Sequence, residues 1–296
     1  MDLKRCEAFL SVVSCGSFTA AAEVLNYTQS GVTRMMYQLE QDLGFALFIR
    51  QKRGVALTEN GRIMYPHIKE IVDVNRRARE VSDNIRGVIK GAITVGCYYS
   101  VSSILMPEIL KKFKEAFPLI KVKMIEGGNT EMAKWLNENA VDLCFCGEPG
   151  KDIVCDWIPL YKDPMVVWLP PDHPKSNEHT FKIKDLEQEA FIHTSPNHDT
   201  DQDRLIEEEG LHLNIQYSTQ DGFTTYNMVE AGLGVSFNQK LISKKWNGQV
   251  VEVPLEPAQY VNLGLAVPSV KDASPATRRF IDYIQKEVAH EANSEI

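Results

Sequence analysis

Nowhere do the 296 residues run apolar for the ~18 positions that a bilayer-spanning helix requires. The opening segment MDLKRCEAFLSVV also lacks the small-residue cleavage site of a signal peptide, so the expected location is the cytoplasm and no membrane partner is expected. Cysteine is scarce: Cys6, Cys15, Cys97, Cys144, Cys146 and Cys155 are too few for a disulfide framework, and none stands in a Cys-x-x-Cys pair. Cys144 and Cys146 fall two apart in VDLCFCG, which reads as a buried strand with both thiols on one face. A redox switch there is the alternative, but burial would blunt such thiols. Equally absent are a Gly-x-Ser-x-Gly elbow, a P-loop, a Gly-x-Gly-x-x-Gly after a strand and a His-Glu-x-x-His pair, so no catalytic residue is expected. HTSPNHDTDQD (His193, His198, Asp199, Asp201, Asp203) could be drawn as a metal site. Acids opening a helix are already explained by the helix dipole, and no metal or cofactor is expected beyond a small-molecule effector.

The length favours two or three domains over one core. Net charge is −8, which by itself argues against nucleic acid, but its distribution argues the other way. Residues 1–90 hold 13 Lys and Arg against 10 Asp and Glu, whereas residues 91–296 hold 19 against 30. A mildly basic head on an acidic body suits a local DNA contact attached to a separate sensing part.

In the head, Leu3, Phe9, Leu10 and Val13 repeat at helical spacing until Cys-Gly-Ser ends the pattern. Thr19 is the expected N-cap of a short alanine-rich helix, Asn26 and Tyr27 make a turn, and Thr28 is the expected cap of the next helix. There Val32, Met36 and Leu39 form the buried stripe, leaving Gln29, Ser30, Thr33, Arg34 and Tyr37 outside. Two readings stand: a solvated face on a three-helix core, or a helix-turn-helix whose second helix reads the major groove, Gln suiting adenine and Arg guanine. LFIRQKRGVALTENG tips the balance. Two short apolar strands joined by a turn with Arg50, Lys52, Arg53 and Gly54 read as a wing that clamps phosphates.

The run AFLSVVSCGSFTAAAEVLNYTQSGVTRMMYQLEQDLGFALFIRQKRGVALTENG resembles the winged helix-turn-helix of LysR-type transcriptional regulators. Ser-Phe-Thr-x-Ala-Ala-x-x-Leu, Thr-Gln, Val-Thr, Leu-Glu, Leu-Gly, Leu-Phe-x-Arg and Leu-Thr-x-x-Gly follow one another in the family's order and spacing. The resemblance implies a DNA-binding face of Thr19, Thr28, Gln29, Ser30, Thr33 and Arg34, with Arg50 and Arg53 on the phosphates, on an interrupted palindrome. Ser30-Gly31 departs from the family's frequent Pro-Ala, and a Gly there weakens the helix by roughly 0.5–1 kcal/mol relative to Ala. Tyr37 stands where the family more usually has a polar residue; it could contact a base methyl or sugar, and covering the supporting helix is the favoured expectation.

Met64, His67, Ile71, Val74, Ala78, Val81, Ile85 and Val88 step by three and four, a heptad seam that predicts a helix pairing with its copy. A single surface helix packed on its own body is the alternative, and Pro66 should kink it. The resemblance likewise places a dimerising linker here, with a tetramer beyond the dimer.

In the body, GAITVGC, IKVKMIEG and AVDLCFCG alternate with helical segments, predicting a parallel β-α-β-α-β lobe. A second set starts at PMVVWLP, and VNLGLAVP with the last helix returns to the first lobe. PDHP, KIKDLEQEAFI and MVEAGLGVSF resemble the same family's two-lobed α/β effector-binding domain, which is built like periplasmic solute-binding proteins. A freestanding solute receptor would need export, against which the head and the missing signal speak. The expected domains are a winged helix-turn-helix at 1–58, a linker helix at 59–90, lobe I at 91–162, lobe II at 163–264 and a return to lobe I at 265–296. Effector contacts are expected at strand ends and helix starts, namely Ser100, Val101, Ser102, Ser103, Asn129, Thr130, Gly147, Thr194, Ser195 and Phe223. Each Ser or Thr could instead be an ordinary helix cap. Asp199, Asp201 and Asp203 near the mouth predict a neutral or cationic effector.

Overall fold

The computed structural model describes residues 1–51, 54–87, 89–195 and 198–294. The chain divides into two compact units, Met1–Val88 and Ile89–Ile296.

In the first unit, Asp2 caps α1 (Leu3–Cys15) by accepting the Arg5 N–H at 3.0 Å, and Gly16 closes it in the left-handed conformation. That closure leaves Ser17 extended, so Ser17 rather than Thr19 caps α2 (Phe18–Leu25), its Oγ accepting the Ala20 N–H at 3.4 Å. Thr19 lies exposed in the first turn instead. Thr28 caps α3 (Gln29–Leu43), which buries Val32, Met36 and Leu39 against Phe9, Val12 and Ala21. The wing is β1 (Phe48–Arg50) antiparallel to β2 (Val55–Leu57).

Three residues of the Leu-Glu and Leu-Thr-x-x-Gly stretches lock the wing to the helices. Glu40 Oε1 accepts the Leu47 and Phe48 N–H groups at 2.7 and 3.1 Å. Thr58 Oγ1 donates to Ala46 O at 2.8 Å and accepts the Gly61 N–H at 2.9 Å, which caps α4 (Glu59–Ile85). A Cβ on Gly61 would lie 2.3 Å from Leu47 O, so only glycine allows this approach. α4 runs through Pro66 as one helix and ends at Ile85, short of the expected 90. Val88 lies outside the described residues.

The second unit holds two lobes. In the first, β3 (Gly91–Cys97), α5 (Tyr99–Ile104), α6 (Met106–Ala116), β4 (Ile120–Glu126), α7 (Asn129–Asn137) and β5 (Leu143–Gly147) give the expected parallel sheet, ordered β4-β3-β5. Pro107 splits SILMPEILKKFKEAFP into two helices, because proline fits the first turn of α6 but not a helix interior. β6 (Asp156–Leu169) then crosses over.

The second lobe contains β7 (Phe181–Lys182), β8 (Ala190–Thr194), α8 (Asp201–Glu208), β9 (Asn214–Thr219), α9 (Gly222–Glu230), β10 (Ser236–Gln239), α10 (Lys240–Ser243) and β11 (Val251–Glu256). β12 (Tyr260–Val267) and α11 (Pro275–Ser294) complete the first lobe. β6 pairs with β12 as far as Pro164 and with β10 from Met165, so the outward crossing falls at 164/165. β12 has joined the first lobe by Tyr260, earlier than the expected return at 265. No described helix is long and apolar enough to cross a membrane.

Candidate functional site

Two surfaces concentrate polar side chains beyond what packing requires. The first is the N-terminal half of α3, in the first unit. Gln29, Ser30 and Arg34 are exposed and Thr33 is half-buried on the side opposite the buried stripe. The face is ordered by its own bonds: Thr33 Oγ1 donates to Gln29 O at 2.9 Å, and Gln29 Nε2 reaches Thr33 Oγ1 at 3.2 Å. Thr28 Oγ1 accepts the Gly31 N–H at 3.1 Å. Arg34 is left to make contacts outward. Tyr37 is 61% exposed, a correction to the expectation that it covers the supporting helix, because its place one turn beyond Thr33 and Arg34 puts it on the polar face turned away from the buried stripe. Of the wing cations, Arg53 and the Arg50 side chain lie outside the described residues.

The second surface is a cleft of about 890 Å³ in the second unit, with walls from both lobes. Ser100, Ser102, Ser103, Asn129 and Thr130 from the first lobe and Thr194, Ser195 and Phe223 from the second all line it. Val101 and Gly147 do not. Val101 is on the inner side of α5, fully buried, and Gly147 sits beneath Tyr98, whose Oη would be 2.7 Å from an added Cβ.

None of the lining hydroxyls expected from the sequence is a side-chain helix cap. α5 and α7 have no side-chain cap, and Thr200 caps α8. Ser103 Oγ instead donates to Tyr99 O at 2.7 Å, Ser195 Oγ to Gln220 O at 2.7 Å, and Thr194 Oγ1 shares a hydrogen bond with Thr225 Oγ1 at 2.8 Å.

Sequence reasoning named Ser100 and Asn129 but missed Tyr98 and Gln239, which with Asp201 join them into a network across the cleft. Tyr98 Oη donates to Asn129 Oδ1, and Asn129 Nδ2 donates to Asp201 Oδ1 at 3.3 Å. Gln239 Nε2 donates to Asp201 Oδ2, and Gln239 Oε1 accepts from Ser100 Oγ at 3.4 Å. Burial pushes the Asp201 carboxyl above its ordinary value, although both amides and Arg204 oppose the shift. The nearby Asp201 charge adds to burial in raising the Tyr98 phenol. Nothing in the local pattern around Tyr98, Gln239 or Trp246 marked them; Asp201 had been noticed only as one of several acids.

The remaining acids of HTSPNHDTDQD are engaged pairwise rather than around a common centre. His193 Nε2 and Asp203 Oδ1 are 2.7 Å apart, and Asp199 holds Arg204 bidentately at 2.7 Å. Among the described residues no group of three or more His, Cys, Asp or Glu is arranged to hold a metal ion. Burial pushes the Cys97 thiol up to about 12, leaving it with thiol rather than thiolate character.

Two family models match the chain. The bacterial regulatory helix-turn-helix protein model, lysR family, covers residues 3–62, and the LysR substrate binding domain covers residues 86–289. The HTH-type transcriptional regulator YvbU of Bacillus subtilis (strain 168) is 28% identical over 285 residues, spanning 95% of this chain and 97% of that protein. YtlI of the same organism, also an HTH-type transcriptional regulator, is 30% identical over 275 residues, spanning 90% and 86%. Full-length OxyR from Pseudomonas aeruginosa superposes with a TM-score of 0.78 over 97% of this chain and 94% of that one, at 20% identity, a likeness of fold.

Proposed function

The chain belongs to the LysR family of bacterial DNA-binding transcriptional regulators, and from that premise we propose how its two units divide the work. α3 enters the major groove, with Gln29, Ser30, Thr33 and Arg34 at base edges and Thr19, Thr28, Arg50 and Arg53 around the phosphates. A small-molecule effector occupies the cleft, touching Ser100, Ser102, Ser103, Asn129, Thr130, Thr194, Ser195 and Phe223. Its binding biases the lobes through Asp201 and Gln239. The chain acts in the cytoplasm, without a cofactor and without catalysis of its own.

The outer face of α4 supports self-association. Ile71, Val74, Val81 and Ile85 are 39%, 48%, 47% and 81% exposed in the single chain, an apolar stripe at heptad spacing that a second α4 would cover. A dimer fixes the distance between two α3 helices and so selects an interrupted palindrome. Pairing of such dimers would give the tetramer.

The observation that carries this reading is the exposed N-terminal half of α3, ordered by its Thr28 cap and backed by a fully buried stripe. The test is fluorescence anisotropy on duplexes enriched from a random pool, across a salt series. Arg34→Ala is expected to weaken the selected site by ~1–3 kcal/mol while sparing random duplex. Arg53→Ala is expected to weaken both and to reduce the salt slope by about one. Equal, sequence-blind losses from both variants would overturn the groove assignment.

A further inference from the structure

The lining of the cleft has a one-sided charge. Among the described residues it carries Glu126, Glu131, Asp199, Asp201 and Asp221, with His198 and neither a lysine nor an arginine. Arg204, the cation beside it, is held bidentately by Asp199. Asp201 is bound only by the neutral amides of Asn129 and Gln239, so a half-buried carboxylate stands in the wall between the lobes without a direct cationic partner among the described residues.

Of the helix starts that open on the cleft, α8 and α9 have first-turn donors already taken by resident oxygens, whereas α5 and α7 carry no side-chain cap. At the start of α7 the Gly128 N–H donates to Glu131 Oε2 at 3.0 Å. At α8 the Asp203 N–H donates to Thr200 Oγ1 at 3.0 Å, and at α9 the Thr224 N–H donates to Asp221 Oδ1 at 2.9 Å. Resident oxygens thus take first-turn donors that an incoming carboxylate would use. A second, independent feature is aromatic: Phe223, 54% exposed, stands edge to face with Trp246 at 5.2 Å, and both line the cleft with Ile242 beside them. Exposed π faces next to carboxylates are the surroundings that bind organic cations.

We propose that the effector is an organic amine whose ammonium group binds at Asp201 and whose apolar part lies against Phe223 and Trp246. The proposal rests on reading the cleft as the effector site. An ammonium between the lobes would supply the cationic partner that Asp201 lacks and would draw Tyr98, Asn129 and Gln239 around one charge. This couples ligand binding to the contacts that hold the lobes together.

The experiment is thermal melting and calorimetry of the full chain with three probes of matched shape: phenethylamine, phenylacetate and 2-phenylethanol. Phenethylamine alone is expected to raise the melting temperature, with an affinity that falls as salt rises from about 0.05 to 0.5 M. Asp201→Asn, which keeps the volume, is expected to weaken the amine at least ~10-fold, and Phe223→Leu by a smaller factor. Should Asp201→Asn fail to fold, Asp221→Asn, which keeps a capping oxygen, is expected to weaken the amine ~3-fold. Stabilisation by phenylacetate or 2-phenylethanol equal to that of the amine, no effect of the amine at millimolar concentration, or amine binding indifferent to the carboxylate variants would each overturn the proposal. Its failure is separable from failure of the underlying reading. A carboxylate that binds and alters DNA affinity keeps the regulator and removes the amine, whereas an amine that binds without changing DNA affinity does the reverse.

Discussion

The two units place their functional groups in opposite ways. In the first, a convex helix face points Gln29, Ser30 and Arg34 into solvent, and the side chains that position it lie within a few turns of sequence. In the second, the functional face is concave, and Tyr98, Asn129, Asp201 and Gln239 reach one another from four separate elements. Charge follows the same division. On the α3 face the one cation, Arg34, is exposed to solvent, whereas acids of the body face into a cavity where burial raises the carboxyl of Asp201. A surface that must dock on a rigid duplex can be built from local rules. A surface that must respond to a small molecule needs parts that move relative to one another, and only distant segments provide those.

The contrast can be broken most strongly at Asp163. It is fully buried where β6 leaves the first lobe, and both carboxylate oxygens lie 3.2 Å from the Leu241 N–H. Burial raises its pKa from 3.8 to about 7, against the Leu241 bond and the charges of Lys240 and Lys244. Since the folded state holds this proton more tightly than the unfolded one, the associated stability is present in full below about pH 4 and is lost as pH rises to about 7. Asp163→Asn should flatten that dependence and raise the stability of the second unit above pH 7, with an upper limit of ~4 kcal/mol at 1.36 kcal/mol per pH unit. Urea melts of the full chain at several pH values would check this. An unchanged pH slope in the variant would remove Asp163 from the account, and the first unit should not respond in either case.

In the first unit the expected effects are smaller. Gly61→Ala forces a Cβ toward Leu47 O, 2.3 Å away, and should destabilise the head by ~1–3 kcal/mol through displaced backbone. Amide hydrogen exchange should then show faster opening of the wing and α3 while the cleft segments keep their protection. Uniform loosening of both units would mean that they are not energetically separate. Smaller still, Thr28→Ala removes the cap of α3 and should lower head stability by ~1 kcal/mol. Its effect on DNA affinity should appear without any change in the charge contacts, so the salt slope stays that of the parent. A changed slope would mean that losing the cap also displaces a Lys or Arg from the phosphates.

The head was legible because its determinants are short-range. Val32, Met36 and Leu39 follow helical spacing, and Thr28 marks a helix start as capping chemistry requires. One misplacement, Thr19 for Ser17, came from a choice between two hydroxyls that the left-handed closure at Gly16 decides. Tyr37 escaped because its position gives a helix face but not the depth of the neighbouring side chain. In the body, strand ends and helix starts located one half of the cleft, since polar residues there have free backbone groups beside them. Val101 and Gly147 sit at such ends too. One turns inward on α5 and the other is roofed by Tyr98, orientations that depend on the packing of neighbouring elements.

By itself, then, the order of residues determined the winged helix-turn-helix, the heptad stripe of α4 and the alternation of strands and helices. Each follows from spacing, capping and turn chemistry within a window that the chain itself fixes. The tertiary structure alone decided that Asp201 would meet Asn129 and Gln239, that Arg204 would be taken by Asp199, and that Phe223 and Trp246 would line the same cleft. Those encounters are set by how β6 and β12 carry the chain between two lobes, and no local preference encodes where distant segments come together.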